Sequence, residues 1–162
     1  MEIKKIANSI VNFGINRFIE VLGLSIVVMA TLLLVSLISF SPDDPNFIFP
    51  EGTQIKNFLG YRGSFTADLF FQSFGLIAFL IPFSLIFTAI NIFFNKKIFL
   101  IIESTFFTIL YLVFGSLFFS NFYPNFFELY INGNGGFVGK YLDTTFLNSL
   151  ISFNLQTSYF IL

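Results

Sequence analysis

Cysteine and histidine are both absent from these 162 residues. Their absence removes disulfides, thiol nucleophiles, imidazole bases and nearly every zinc-type ligand set, although it does not identify a redox compartment. Charge is scarce too: charged residues are 10% of the chain and the formal net charge is −1. The basic residues cluster no further than the pairs Lys4-Lys5 and Lys96-Lys97. That argues against direct nucleic-acid binding by this segment.

What is abundant is apolar surface. Hydrophobic residues make up 56% of the sequence and aromatic ones 21%, including 28 Phe and 6 Tyr, and the mean hydropathy is +0.85. A soluble domain has nowhere to hide that much apolar area, and several uncharged runs exceed the roughly 18 residues that mark a membrane span. The reading is an all-α membrane protein with three complete transmembrane helices, an external amphipathic helix and a truncated fourth span. The lipid bilayer is its first partner.

Residues 1–20 carry Lys4, Lys5 and Arg17 among Ile6, Ile10, Val11, Phe13 and Phe18, the pattern of a short interfacial helix on the cytoplasmic side. The uncharged run over 21–40 is the first span; at about 20 residues it is longer than a signal-peptide core, and no clear cleavage site follows. Pro42 and Pro45 end it. Residues 41–66 form a turn-rich loop outside the membrane, after which Ser64 or Thr66 caps the second helix, with Asp68 near its positive end. The second span covers 67–94 and contains Pro82, which should kink it.

Asn95, Lys96 and Lys97 make a tight turn over 95–97, and the third span covers 98–119. The loop over 120–136 leads into the glycine-rich stretch that runs to Gly139. Lys140, Thr144, Asn148 and Ser152 then recur every four residues, which predicts an amphipathic helix over 137–153. Residues 154–162 read as the start of a fourth span, too short to cross a bilayer, so the sequence reads as a fragment. Basic residues place the N-terminus and the Lys96-Lys97 turn in the cytoplasm and both longer loops outside. Tyr61, Tyr123, Tyr130 and Tyr141 fall near the predicted boundaries, as interfacial anchors do.

No motif carries catalysis, a cofactor or a metal. Glu103 is the one carboxylate inside a predicted span; less than two turns from Lys97, it can reach the headgroup region or pair with Lys96 or Lys97, and either argues against proton passage. The Gly133 to Gly139 stretch lacks the ending of a phosphate loop and follows no strand, so it reads as a turn that returns a helix to the interface. Asp43, Asp44 and Glu51 do not match a calcium-loop spacing and read as a solvated acidic turn.

The order of the loop motifs is more specific than any of them alone. Ser41-Pro42-Asp43-Asp44-Pro45 directly after the first span is followed by Asn57, Gly60 and Gly63, then by Ala67, Asp68 and Gly75, and finally by Gly135, Gly136 and Gly139. This succession resembles the N-terminal membrane domain of the FtsK/SpoIIIE DNA translocases. The resemblance implies four spans with both ends cytoplasmic in the inner (plasma) membrane, placement at the division septum, contacts with other division proteins and homo-oligomerisation. It also implies an ATP-driven motor that is absent here, so this chain is expected to be a membrane anchor and no enzyme. A small transporter or channel subunit, suggested by Pro82 and Glu103, and a structural subunit of another membrane complex stay open on the residues alone.

Overall fold

The computed structural model describes residues 2–45, 54–123 and 132–145, all helices, turns and loops. Helix α1 runs over Glu2–Ile38. The interfacial lead-in and the first span are therefore one continuous helix; no proline lies within it, and Gly14 has open space around it. Its 37 residues extend for about 55 Å, against a hydrocarbon thickness of roughly 30 Å. Every residue from Lys5 to Phe18 is exposed, and burial begins at Ile19.

Helix α2 covers Gly60–Phe74, so Ser64 and Thr66 lie inside it and cap nothing. The Ser64 hydroxyl donates to the Pro45 carbonyl at 3.0 Å and that of Thr66 to the Arg62 carbonyl at 2.7 Å. Asp68, expected near the positive end, is buried in the middle of the helix. A short 3₁₀ segment, Gly75–Phe79, separates α2 from α3, Leu80–Asn95. The interruption thus falls before Pro82, where sequence had placed the kink. Pro82 occupies the first turn of α3, where its missing N–H has no partner to lose.

Lys96 closes α3 in the left-handed conformation, φ 55°, and its N–H donates to the Ile92 carbonyl at 2.9 Å. Helix α4 is Phe99–Phe122 and α5 is Gly136–Asp143. The amphipathic helix expected over 137–153 therefore stops at Asp143. Asn148, Ser152 and the expected fourth span lie outside the described residues, as do Glu51 and Tyr130.

Among the described residues three helical stretches are long and apolar enough to cross a membrane: Lys5–Ile38, Gly60–Asn95 and Phe99–Phe122. α1 packs chiefly on α3, and small residues set the approach: a Cβ on Gly23 would stand 3.3 Å from the Ala89 carbonyl, and Ala30 and Ala89 are buried. That is the usual packing device in lipid, where close backbones replace the hydrophobic drive. The core joins Leu37, Ala67, Phe71, Ala78, Ile81 and Leu112.

Between α3 and α4 runs a ladder of hydroxyls. Ser84 and Thr108 are hydrogen-bonded at 2.6 Å, Thr88 pairs with Ser104, and the Tyr111 hydroxyl donates to the Leu80 carbonyl at 3.1 Å. Glu103 lies beside this ladder but is not paired with Lys96 or Lys97. Lys96 Nζ reaches Glu20 of α1 at 2.7 Å, across 76 residues of sequence. The αL turn at Lys96 directs the ammonium towards α1, and among the described residues Glu103 has neither ion pair nor hydrogen bond.

Candidate functional site

The motif residues collect at the end of the bundle opposite the Lys96 turn, in two locks. The first joins the end of α1 to the start of α2. Asp44 follows α1 by a turn in which its own N–H donates to the Ser41 carbonyl at 3.1 Å. Its carboxylate accepts the backbone N–H groups of Lys56 and Asn57, at 2.8 and 2.9 Å. With 1% exposure it is no solvated acidic turn; two charge-assisted bonds offset the desolvation of the carboxylate.

Asn57 extends this lock into the helices. Its side-chain amide donates to the Ser36 carbonyl at 2.9 Å, and its Oδ1 accepts the Leu59 N–H at 3.1 Å. The Ser36 hydroxyl in turn donates to the Gly63 carbonyl at 2.6 Å. Gly63 has to be glycine, because a Cβ there would stand 2.1 Å from Asn57 Oδ1. Gly60 starts α2 at φ 64°, with open space around it.

Pro42 and Asp43 remain on the outside, and Asp43 pairs with Lys56 at 2.9 Å. That carboxylate holds the Lys56 ammonium above its usual pKa.

The second lock wedges the glycine-rich segment into the break between α2 and the 3₁₀ turn. Gly75 takes φ 68°, which turns its neighbour's N–H out of the helix, and Leu76 N–H donates to the Asn134 carbonyl at 2.9 Å. A Cβ on Gly75 would stand 1.9 Å from that same oxygen, and one on Gly136 would be 2.5 Å from Gly75 N. Gly135 and Gly139 lie as close to α4: their Cβ atoms would be 2.4 and 2.3 Å from the Ser116 carbonyl. The Ser116 hydroxyl donates to the Phe74 carbonyl at 3.0 Å, which closes the contact between α4 and α2. The glycine stretch is thus an intramolecular wedge, and the turn it makes faces the protein.

Phe71 stands between the locks, with its ring 4.9 Å from Phe40 and 5.2 Å from Phe79, above Ala67 in the core. Ser36, Ser116 and Asn134 were missed from sequence. Ser25 and Thr31 also lie in the first span, yet their hydroxyls donate to carbonyls one turn back in their own helix, at 2.9 and 2.8 Å; the Ser39 hydroxyl donates to Val35 in the same way, at 2.7 Å, but also accepts the Phe58 N–H at 3.1 Å and so joins the first lock. Nothing in the sequence separates Ser36 from them. Among the described residues no three acidic, cysteine or histidine side chains gather where they can hold a metal.

The site is a framework of backbone acceptors and close approaches. Residues 16–160 match the family described as the 4TM region of DNA translocase FtsK/SpoIIIE. A DNA translocase FtsK of Rickettsia bellii (strain RML369-C) is 36% identical over 69 residues, which are 43% of this chain and 9% of that relative. The aligned part is thus a small fraction of the relative's length. No solved structure matches the chain. The matched region takes in both locks and all three spans, so the chain belongs to the FtsK/SpoIIIE DNA translocase family, as the membrane region of such a protein.

Proposed function

We propose that this chain anchors a DNA translocase in the inner membrane, with its N-terminus cytoplasmic, and places it at the division septum for chromosome segregation. The observation that carries this reading is that the buried motif residues are used in joining helices. Asp44, Asn57, Gly63, Gly75 and Gly136 fix α1, α2, α4 and α5 relative to one another. A motor that pulls on DNA needs a fixed point, and several spans resist extraction from lipid far better than a single acyl chain does. On this reading the chain is no enzyme, and division proteins and further copies of itself are its partners, met through the exposed helix faces and the loop end.

A fluorescent fusion of the chain is expected to concentrate at midcell in dividing cells. Even distribution around the envelope overturns the septal role. A second reading, a transporter or channel subunit, has one feature in its favour: Glu103, Asn91 and the hydroxyl ladder line a cavity of about 280 Å³ between α3 and α4. The ladder hydroxyls bond to one another, Ser84 to Thr108 and Thr88 to Ser104. Ion flux in proteoliposomes that disappears with Glu103→Gln is the result that establishes this second reading.

A further inference from the structure

A second, larger cavity lies between α1, α2 and α3, beside the first lock. It measures about 500 Å³, and its walls are Met29, Leu32, Leu33, Phe70, Ile81 and Leu85. At the end nearest the first loop it meets Arg62 and Thr66. The polar groups along it are already committed: the Ser36 hydroxyl to Gly63 and the Thr66 hydroxyl to Arg62's own carbonyl. The Arg62 guanidinium is exposed, and among the described residues it has no hydrogen-bond or ion-pair partner. We infer that this cavity is a binding site for one membrane phospholipid, its acyl chain between Leu33 and Leu85 and its phosphate on Arg62.

The argument is one of matched polarity along a single direction. Arg62 lies in the first turn of α2, beside the exposed Tyr61 and level with the polar lock, where a bilayer changes from headgroup to hydrocarbon. From Ser36 to Met29 the wall then descends about 10 Å along α1 and becomes wholly apolar. A phospholipid has the same sequence of chemistry: an anion at the boundary, then hydrocarbon. Arginine is the side chain best suited to that anion, because its planar fork meets phosphate oxygens in pairs.

The test is lipid retention by the purified chain, measured by native mass spectrometry after exchange through vesicles of phosphatidylglycerol or of phosphatidylcholine. Wild type is expected to keep a single phospholipid adduct. Arg62→Ala should weaken retention by at least about tenfold, the loss of one charge-assisted contact, and Arg62→Lys should recover part of it. Leu33→Trp, which fills the groove from the wall, should also expel the lipid while Arg62 stays in place.

Equal retention by wild type and Arg62→Ala overturns the proposal, since it describes ordinary annular lipid. Loss with Arg62→Ala but not with Leu33→Trp, together with displacement by inorganic phosphate, identifies a free-phosphate site and also overturns it. A wild-type dimer that persists with lipid present, carries no phospholipid adduct and is broken by Leu33→Trp makes a second copy the occupant, with the same consequence. Because the Arg62 side chain has no partner among the described residues, the alanine variant keeps every contact of the fold, and unchanged thermal unfolding in detergent confirms that.

Discussion

At the scale of single residues, the two aspartates of the Ser-Pro-Asp-Asp-Pro turn differ more than their adjacency suggests. Asp44 is buried and accepts two backbone N–H groups, whereas Asp43 is exposed and meets the Lys56 ammonium. Replacing Asp44 by alanine leaves two donors without an acceptor, a cost of about 1–3 kcal/mol for such buried groups. Asp44→Asn is expected to cost nearly as much, because its amide NH₂ would face an N–H donor. Lys56→Gln is expected to change nothing measurable, since an exposed pair is screened by water. The raised lysine pKa means that pair is intact at neutral pH and is lost only as pH rises through the raised value, well into the alkaline range. Unfolding in detergent, followed by proteolysis of the first loop, distinguishes the two positions. Equal stability of Asp44→Ala and Lys56→Gln would remove the first lock from the account.

At the scale of elements, the question is why one apolar run over 69–94 folds as two helices. Proline was the visible breaker, and at Pro82 sequence placed the bend. The actual cause is a contact made far along the chain: the Asn134 carbonyl takes the Leu76 N–H, and Gly75 allows the chain to present it. Gly75 and Gly60 have nearly the same φ, 68° and 64°, but very different surroundings. That contrast separates backbone strain from packing. Gly60→Ala should cost only the left-handed conformation, about 1–2 kcal/mol. Gly75→Ala carries the same strain and must in addition push the Asn134 carbonyl away, so it should be markedly more destabilising and should expose the α5 segment to protease. Similar unfolding midpoints for the two variants would mean that the wedge contributes little.

The same contrast shows what could be read from the sequence. Helical composition, three spans and the tight basic turn follow from local hydropathy and charge, which act within one helix length. Helix boundaries were legible only where a breaker marked them: Pro42 ended the first span, but the Ser64 and Thr66 hydroxyls looked like caps and instead bond Pro45 and Arg62. Glu20 with Lys96, and Ser36 with Gly63, are long-range pairs between residues that are unremarkable in their own segments. The ordered glycines did point to the loop end, because a positive φ or a close approach restricts the residue type itself.

For the whole molecule, two polar levels set the position in the bilayer. Glu20 with Lys96 marks one, and Ser36 with Asn57 and Gly63 marks the other. They are separated by about 24 Å along α1, close to the hydrocarbon thickness of roughly 30 Å, and the exposed phenylalanines 83, 87, 106 and 114 lie between them. Outside the first level α1 continues through residues 2–18 as a helix exposed from Lys5 onward. On the orientation proposed above that level is cytoplasmic, and the balance of basic residues supports it: Lys4, Lys5, Arg17, Lys96 and Lys97 are there, against Lys56, Arg62 and Lys140 at the loop end. Because the chain contains no cysteine, single introduced thiols report their side without background. Phe58, 79% exposed in the first loop, should react as Phe58→Cys with a membrane-impermeant maleimide in intact spheroplasts. Asn12→Cys and Lys97→Cys should react only after the membrane is permeabilised. The reverse pattern would place the loop end in the cytoplasm and the N-terminal helix outside, and would overturn the proposed orientation.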